Sequence, residues 1–227
     1  MSFREAIEDY RHLKNRGYPD RAALKLVGDR WRLAGLERNC LFRAVFAEAD
    51  CRARQAKLVP PGAVRGEALG VDWYNVLITV ESYLKGFPVF LADDGVLRDS
   101  SGVHGSYRPG RVTEAAQQRI LDSLARLEPS RVELFLDSPI SFSGHMAEQL
   151  RRSEALPPSC PVEVTVSPSA DYPLKSFPGV VATSDSSIID RASVVQVLDL
   201  TRYVLESGYG ATVPPAAEMF SRPELPG

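Results

Sequence analysis

A chain of 227 residues with 44% hydrophobic and 25% charged side chains has room for one full domain and a smaller companion, each with its own core. Three cysteines, Cys40, Cys51 and Cys160, far apart and without CxxC spacing, argue against a disulfide framework or a thiolate zinc site and for a reducing, cytoplasmic setting. The N-terminus is charged from Arg4 onward and no run approaches the roughly 18 apolar residues of a membrane span, so neither a targeting segment nor a membrane partner is expected.

Within a formal net charge of −2, residues 1–65 hold 14 Lys and Arg against 8 Asp and Glu, whereas residues 66–227 hold 13 against 21. A basic end attracts polyanions and an acidic end attracts metal ions, although two solvated faces would show the same imbalance.

In chain order, Phe3, Ala6, Ile7, Tyr10 and Leu13 recur at helical spacing, with Gly17 where a C-terminal cap belongs. Pro19-Asp20 opens a second helix carrying Leu24, Val27 and Trp31, and a third is expected from Leu36 to about Arg54. This predicts a small, basic, all-α domain over residues 1–58. Its arginines at 30, 32, 38 and 43 loosely resemble those of a helix-turn-helix, but they do not fall on one stripe and three-helix packing produces the same pattern. Residues 57–66, with Pro60-Pro61-Gly62, read as a linker.

Beyond it, short apolar runs alternate with helical stretches. The runs are Ala68 to Val71, Pro88 to Ala92, Val132 to Leu136, Val162 to Val166 and Val180 to Ala182; the helices are Asn75 to Leu84, Thr113 to Leu127 and Gly144 to Arg152. Such alternation predicts, for residues 67–212, an α/β domain: a three-layer, mostly parallel, Rossmann-like sheet with right-handed crossovers. Val162, Val164 and Val166 alternate with Glu163 and Thr165, which puts that strand near an edge. The proline-rich residues 213–227 are expected to form an extended tail.

Four of the five runs lead into aspartate: Asp72, Asp93 with Asp94, Asp137, and Asp185 in Thr183-Ser184-Asp185. In a parallel sheet the carboxyl ends of the strands share one edge, outside which ligands bind. Each acid has a bland reading, Asp185 as a helix cap and Asp93-Asp94-Gly95 as a turn. Together they would repel one another unless a proton or a cation neutralised them, and a hard divalent ion does so at least cost.

VDWYNVLITV, residues 71–80, resembles the opening of PIN-like nucleases of the NYN type: a strand ending in aspartate, Asp72, with asparagine three residues on, Asn75. ATSDSSIID, residues 182–190, is similar to their late strand-Thr/Ser-x-Asp-helix signature, and FLDSPIS, residues 135–141, supplies the intermediate aspartate. Nearly the whole chain also resembles an uncharacterised bacterial and archaeal family in which a small helical domain precedes such a PIN-like domain. Fold analogy of this kind does not assign an activity.

The resemblance implies Asp72, Asp137 and Asp185 as catalytic, metal-binding carboxylates, with Asn75 orienting the site. For the fourth acid, Glu81, Asp94 and Asp190 compete, and Asp94 is preferred because it too ends a strand. The implied chemistry is phosphodiester hydrolysis with Mg²⁺ or Mn²⁺ ions about 3.5 to 4 Å apart, acting on RNA, single-stranded or structured, rather than DNA. No side-chain nucleophile is needed, which suits a chain whose three histidines lie near no GxSxG or HExxH pattern.

Two loops could hold substrate. In Asp99 to Arg111, backbone amides with Arg108 and Arg111 could bind phosphates while His104 or Tyr107 touches a base. In Ser138 to Gly144, Ser141 or Ser143 could bind phosphate, unless Ser143 is only a helix cap; Ser184 could do so beside Asp185. Two rivals stay open. One is an inert nucleic-acid or protein-binding module on the same fold. The other, an aspartate-nucleophile phosphohydrolase, is disfavoured because Tyr74 stands where its second aspartate belongs; homo-oligomers are compatible with every reading. A dinucleotide oxidoreductase is not supported, since no GxGxxG follows the first strand.

Overall fold

The computed structural model describes residues 3–101, 107–153, 155 and 160–220. The chain divides into two compact units: residues 1–55, 87–102 and 213–227 form the first, and residues 56–86 and 103–212 the second. Elements are numbered along the chain.

The first unit begins with α1 (Phe3–Asn15), which buries Phe3, Ala6, Ile7 and Tyr10 at the expected spacing and ends before Gly17 in the left-handed region at φ +75°. After Pro19, α2 (Asp20–Arg30) turns Ala23 and Val27 inward. The single third helix expected from Leu36 to Arg54 is in fact two, α3 (Gly35–Ala44) and α4 (Glu48–Gln55). Val45 is extended, and the Ala44 carbonyl accepts a 2.8 Å bond from the Asp93 amide instead of continuing the helix. The break delivers Phe46 to the guanidinium groups of Arg54 and Arg98, 4.3 and 4.8 Å from its ring centroid.

Asp93 belongs to a hairpin and not to a strand end of the main sheet. The run from Pro88 to Ala92 contains β2 (Val89–Leu91), which pairs antiparallel with β3 (Leu97–Asp99) in a separate two-stranded sheet of the first unit. Phe90 and Ala92 join the helical core with Phe3, Tyr10 and Leu41. Residues 213–220 also lie with this unit: the Leu91 amide donates to the Pro214 carbonyl at 2.9 Å, and the Phe220 ring meets Phe3 edge-on at 4.8 Å. Counted by unit, the charge imbalance nearly vanishes, because the first unit holds 14 Lys and Arg against 13 Asp and Glu.

The second unit is the expected α/β body. Its five-stranded parallel sheet has the order β5-β4-β1-β6-β7, built from β1 (Ala68–Asp72), β4 (Arg131–Asp137), β5 (Val162–Ser167), β6 (Val180–Ala182) and β7 (Val197–Leu198). The alternating strand β5 does lie at an edge, while β1 and β4 are nearly continuous apolar runs covered on both faces. Helices α5 (Trp73–Leu84), α6 (Thr113–Leu127), α7 (Ser143–Arg151) and α10 (Leu200–Tyr209) follow β1, β3, β4 and β7. Helix α5 is buried almost all round, packed between β1, β4, α6 and α10. Gly70, mid-strand in β1, has a packing reason: a Cβ there would stand 2.9 Å from the Phe177 ring, which itself meets Phe135 edge-on at 6.0 Å.

The expected linker is part of this sheet. The Val59 amide donates to the Val197 carbonyl at 2.9 Å and the Val197 amide to the Lys57 carbonyl at 2.8 Å, so Leu58 extends the pairing beyond β7 before a 3₁₀ turn at Pro61–Val64. Among the described residues no helix is long and apolar enough to cross a membrane.

Candidate active site at the carboxyl edge of the sheet

Strands β1 and β6 are neighbours with Val71 opposite Ala182, so the residues that follow, Asp72 and Thr183, emerge side by side. The Thr183 hydroxyl donates to Asp72 Oδ2 at 2.9 Å and accepts the Asp185 amide at 3.0 Å. Asn75, three residues beyond Asp72 and therefore about one turn along the chain leaving the strand, turns its Oδ1 back to accept from the Ser184 amide at 2.8 Å and the Ser184 hydroxyl at 2.9 Å. The two sequence motifs thus interlock, although more than a hundred residues separate them. Asp72 is buried, while Asn75 and Asp185 are half-exposed.

The other acids are placed differently. Asp185 Oδ1 accepts the Ser187 amide at 2.7 Å and caps α9 (Ser186–Ile189), so the capping role is real. Asp137, at the end of β4 and in register with Ser167, accepts the Ala170 amide at 2.8 Å and holds the turn into α8 (Asp171–Leu174). Asp199, after the two-residue strand β7, caps α10 through the Arg202 amide at 2.9 Å; the sequence reading did not single it out, although Val194, Val195, Val197 and Leu198 lead into it as an apolar run.

Asp94, the preferred fourth ligand, belongs to the hairpin of the first unit and not to this sheet. Fully buried, it is gripped by Arg98 through both oxygens at 2.6 and 2.9 Å and by Arg54 at 3.1 Å. Burial pushes its carboxyl up, but the two guanidinium groups outweigh that and hold it below the usual carboxylate range. It is a structural ion. Glu81 is likewise engaged: Tyr107 donates to it at 2.5 Å, Thr113 at 2.7 Å, and Lys85 pairs with it. Tyr107 is therefore buried and not free to touch a base, and burial together with Glu81 raises its phenol.

Among the proposed substrate contacts, Ser143 is buried, its hydroxyl donating to the Ser138 carbonyl at 3.3 Å, and the residue that precedes α7 as its cap is Phe142. Ser141, Arg108 and Arg111 are exposed, Ser184 is buried against Asn75, and His104 lies outside the described residues.

Among the described residues no group of three or more His, Cys, Asp or Glu side chains is close enough to cage a metal ion. Mg²⁺, however, is commonly held by one or two carboxylates, with water and substrate phosphate completing its shell. Asp72 and Asp185, joined through Thr183, supply hard oxygen donors of that kind. A second observation fits a hydrated ligand. The Tyr74 hydroxyl, two residues after Asp72, is buried without a hydrogen-bond partner among the described residues, and burial, then the nearby Asp137 charge, push its phenol up to about 12. The adjacent Trp73 Nε1 is also buried and has no hydrogen-bond partner among the described residues. Buried polar atoms left so are rare and mark a place for water or an ion.

Residues 61–203 match the family model described as Domain of unknown function (DUF5616), and residues 2–57 match that described as Protein of unknown function (DUF434). The chain is 33% identical over 207 residues to the uncharacterized protein MJ0935 of Methanocaldococcus jannaschii, a match covering 91% of this chain and 98% of that one. No solved structure matches the chain.

Proposed function

The chain belongs to the DUF5616 family, and from the geometry of its sheet edge we propose that it is a PIN-like, Mg²⁺- or Mn²⁺-dependent phosphodiesterase acting on RNA in the cytoplasm. The observation that carries this reading is the interlock of Asp72 with Thr183 and Asn75 with Ser184, which brings the two motifs that resemble PIN-like nucleases to one point. Asp72 and Asp185 would hold a divalent ion, and Asp137 and Tyr74 would offer hydrogen-bonding groups to its water. A bound divalent ion supplies a water of lowered pKa and charge for the leaving oxygen. Thr183 fixes the rotamer of Asp72 by donating to one oxygen, and Asn75 locks the Ser184 backbone so that Asp185 emerges in a set direction. The three cysteines are free and buried, which suits a reducing compartment.

The test is cleavage of a labelled pool of single-stranded and hairpin RNAs in Mn²⁺ by the parent, Asp72→Asn and Asp185→Asn. The reading requires Mn²⁺-dependent cleavage in the parent and its loss in both variants. Cleavage at the parental rate by either variant, or binding without cleavage in the parent, overturns it and favours an inert binding module.

A further inference from the structure

The second unit carries a cavity of about 620 Å³ between α6 and α7, lined by Thr113, Gln117, Leu121, Phe142, Met146 and Gln149 among others. Its size is that of a small-ligand site. Phe142 is a large aromatic ring left 65% exposed, on a backbone in the left-handed region at φ +67°, where a residue with a side chain is strained. Exposure and strain at one residue are unfavourable twice over, and neither is explained by packing. The polar lining includes three amides: Gln117 donates to Met146 sulfur, Gln118 to Asp122, and the Gln149 side chain makes no hydrogen bond among the described residues. Thr113, Glu114, His145 and Ser153 complete it.

Pro109 and Gly110 line the mouth, and they are bracketed by Arg108 and Arg111, both exposed and neither in an ion pair among the described residues. Phe142 lies five residues after Asp137, so it is within about 18 Å of that strand end by chain length. The arrangement combines an exposed ring, amide donors and acceptors with one carboxylate, Glu114, and two exposed cations, Arg108 and Arg111.

We propose that this groove binds an unstacked nucleobase of single-stranded RNA, stacked on Phe142 and read at its edge by Gln149, Gln117 and Glu114, with Arg108 and Arg111 on the flanking phosphates. Bases splayed from a single strand are recognised in this way, by aromatic stacking and hydrogen bonds to their edges, while arginines follow the backbone. The inference rests on the nuclease reading for its substrate class, and it places RNA capture on the local cations Arg108 and Arg111 of the second unit rather than on the net charge of either unit.

The experiment measures anisotropy of a short 5′-labelled single-stranded RNA of mixed sequence in EDTA, with the full chain and an abasic strand of equal length as the second probe. Phe142→Gly removes the ring and suits the left-handed backbone, so it should melt no lower than the parent. It should bind the RNA about tenfold or more weakly, as loss of one stacked base implies, while binding the abasic strand as the parent does. Arg108→Ala with Arg111→Ala should weaken both probes and flatten their salt dependence. Tyr18→Ala, an exposed aromatic of the other unit, should change nothing. Parental RNA affinity in Phe142→Gly, or equal affinity of the parent for both probes, overturns the base site. Mn²⁺-dependent cleavage is read separately: its absence in the parent sinks the nuclease reading and leaves a Phe142-dependent binding loss standing.

Discussion

The hydroxyl of Thr183 donates to Asp72 Oδ2 at 2.9 Å and accepts the Asp185 amide at 3.0 Å, so one side chain ties the ends of two neighbouring strands to the residue that caps α9. Thr183 is itself buried. Thr183→Val keeps its shape but loses both bonds, and should lower unfolding free energy by about 1 to 3 kcal/mol, since a buried acceptor loses its donor. Thr183→Ser keeps the hydroxyl and should cost under about 1 kcal/mol. Urea denaturation of the two variants decides this, and a Val variant as stable as the parent would mean the link carries no stability.

Any ligand of the native state raises its melting temperature. Mn²⁺ and Mg²⁺ should therefore raise that of the parent, and the rise should vanish in Asp72→Asn with Asp185→Asn. Asp94→Asn should still respond to metal, because Asp94 is consumed by Arg54 and Arg98 and belongs to the other unit. A metal response lost in Asp94→Asn as well as in the double variant would restore the ligand set expected from sequence, and one kept in the double variant would sink the Asp72–Asp185 site.

What was legible in the sequence was local. The strand-to-helix passages at Asp72 and Thr183-Ser184-Asp185 show as apolar runs ending in capping residues, and the parallel sheet follows from their alternation with helices. What was not legible depended on distant partners. The run from Pro88 to Ala92 looks like another strand of the same sheet, but Asp93-Asp94-Gly95 turns it into a hairpin, and the residue that confirms this, Arg54, is forty positions upstream of Asp94. The break at Val45 depends on an amide at Asp93, and the strained backbone of Phe142 has no sequence signal at all, since glycine or asparagine would be the usual choice there.

The Asp94 ion pair also predicts an acid limb. Its folded carboxyl lies below the usual range, so its contribution to stability is complete above the unfolded value of about 4 and is lost as pH falls through the folded one. Asp94→Asn should lower stability at neutral pH by about 3 to 5 kcal/mol, because it leaves two buried guanidinium groups uncompensated. Below about pH 4 the difference from the parent should shrink. Fluorescence of Trp31, in a Trp73→Phe background, reports on this unit alone. A difference that stays constant down to strong acid would show that the pair does not titrate as described.

The last prediction separates the two roles of Asp185. As a cap, its Oδ1 accepts the Ser187 amide at 2.7 Å, and asparagine caps a helix as well as aspartate does. Asp185→Asn should then keep stability within about 0.5 kcal/mol, whereas Asp185→Ala should cost about 1 kcal/mol. As a ligand, Asp185 supplies a negative charge that neither variant has, so both should lose the Mn²⁺-dependent rise in melting temperature and RNA cleavage to the same degree. Stability would follow the cap and metal response the charge. If Asp185→Asn kept the metal response while Asp185→Ala lost it, only the cap geometry would matter, and the ion would have to be sought around Asp72 and Asp137 instead.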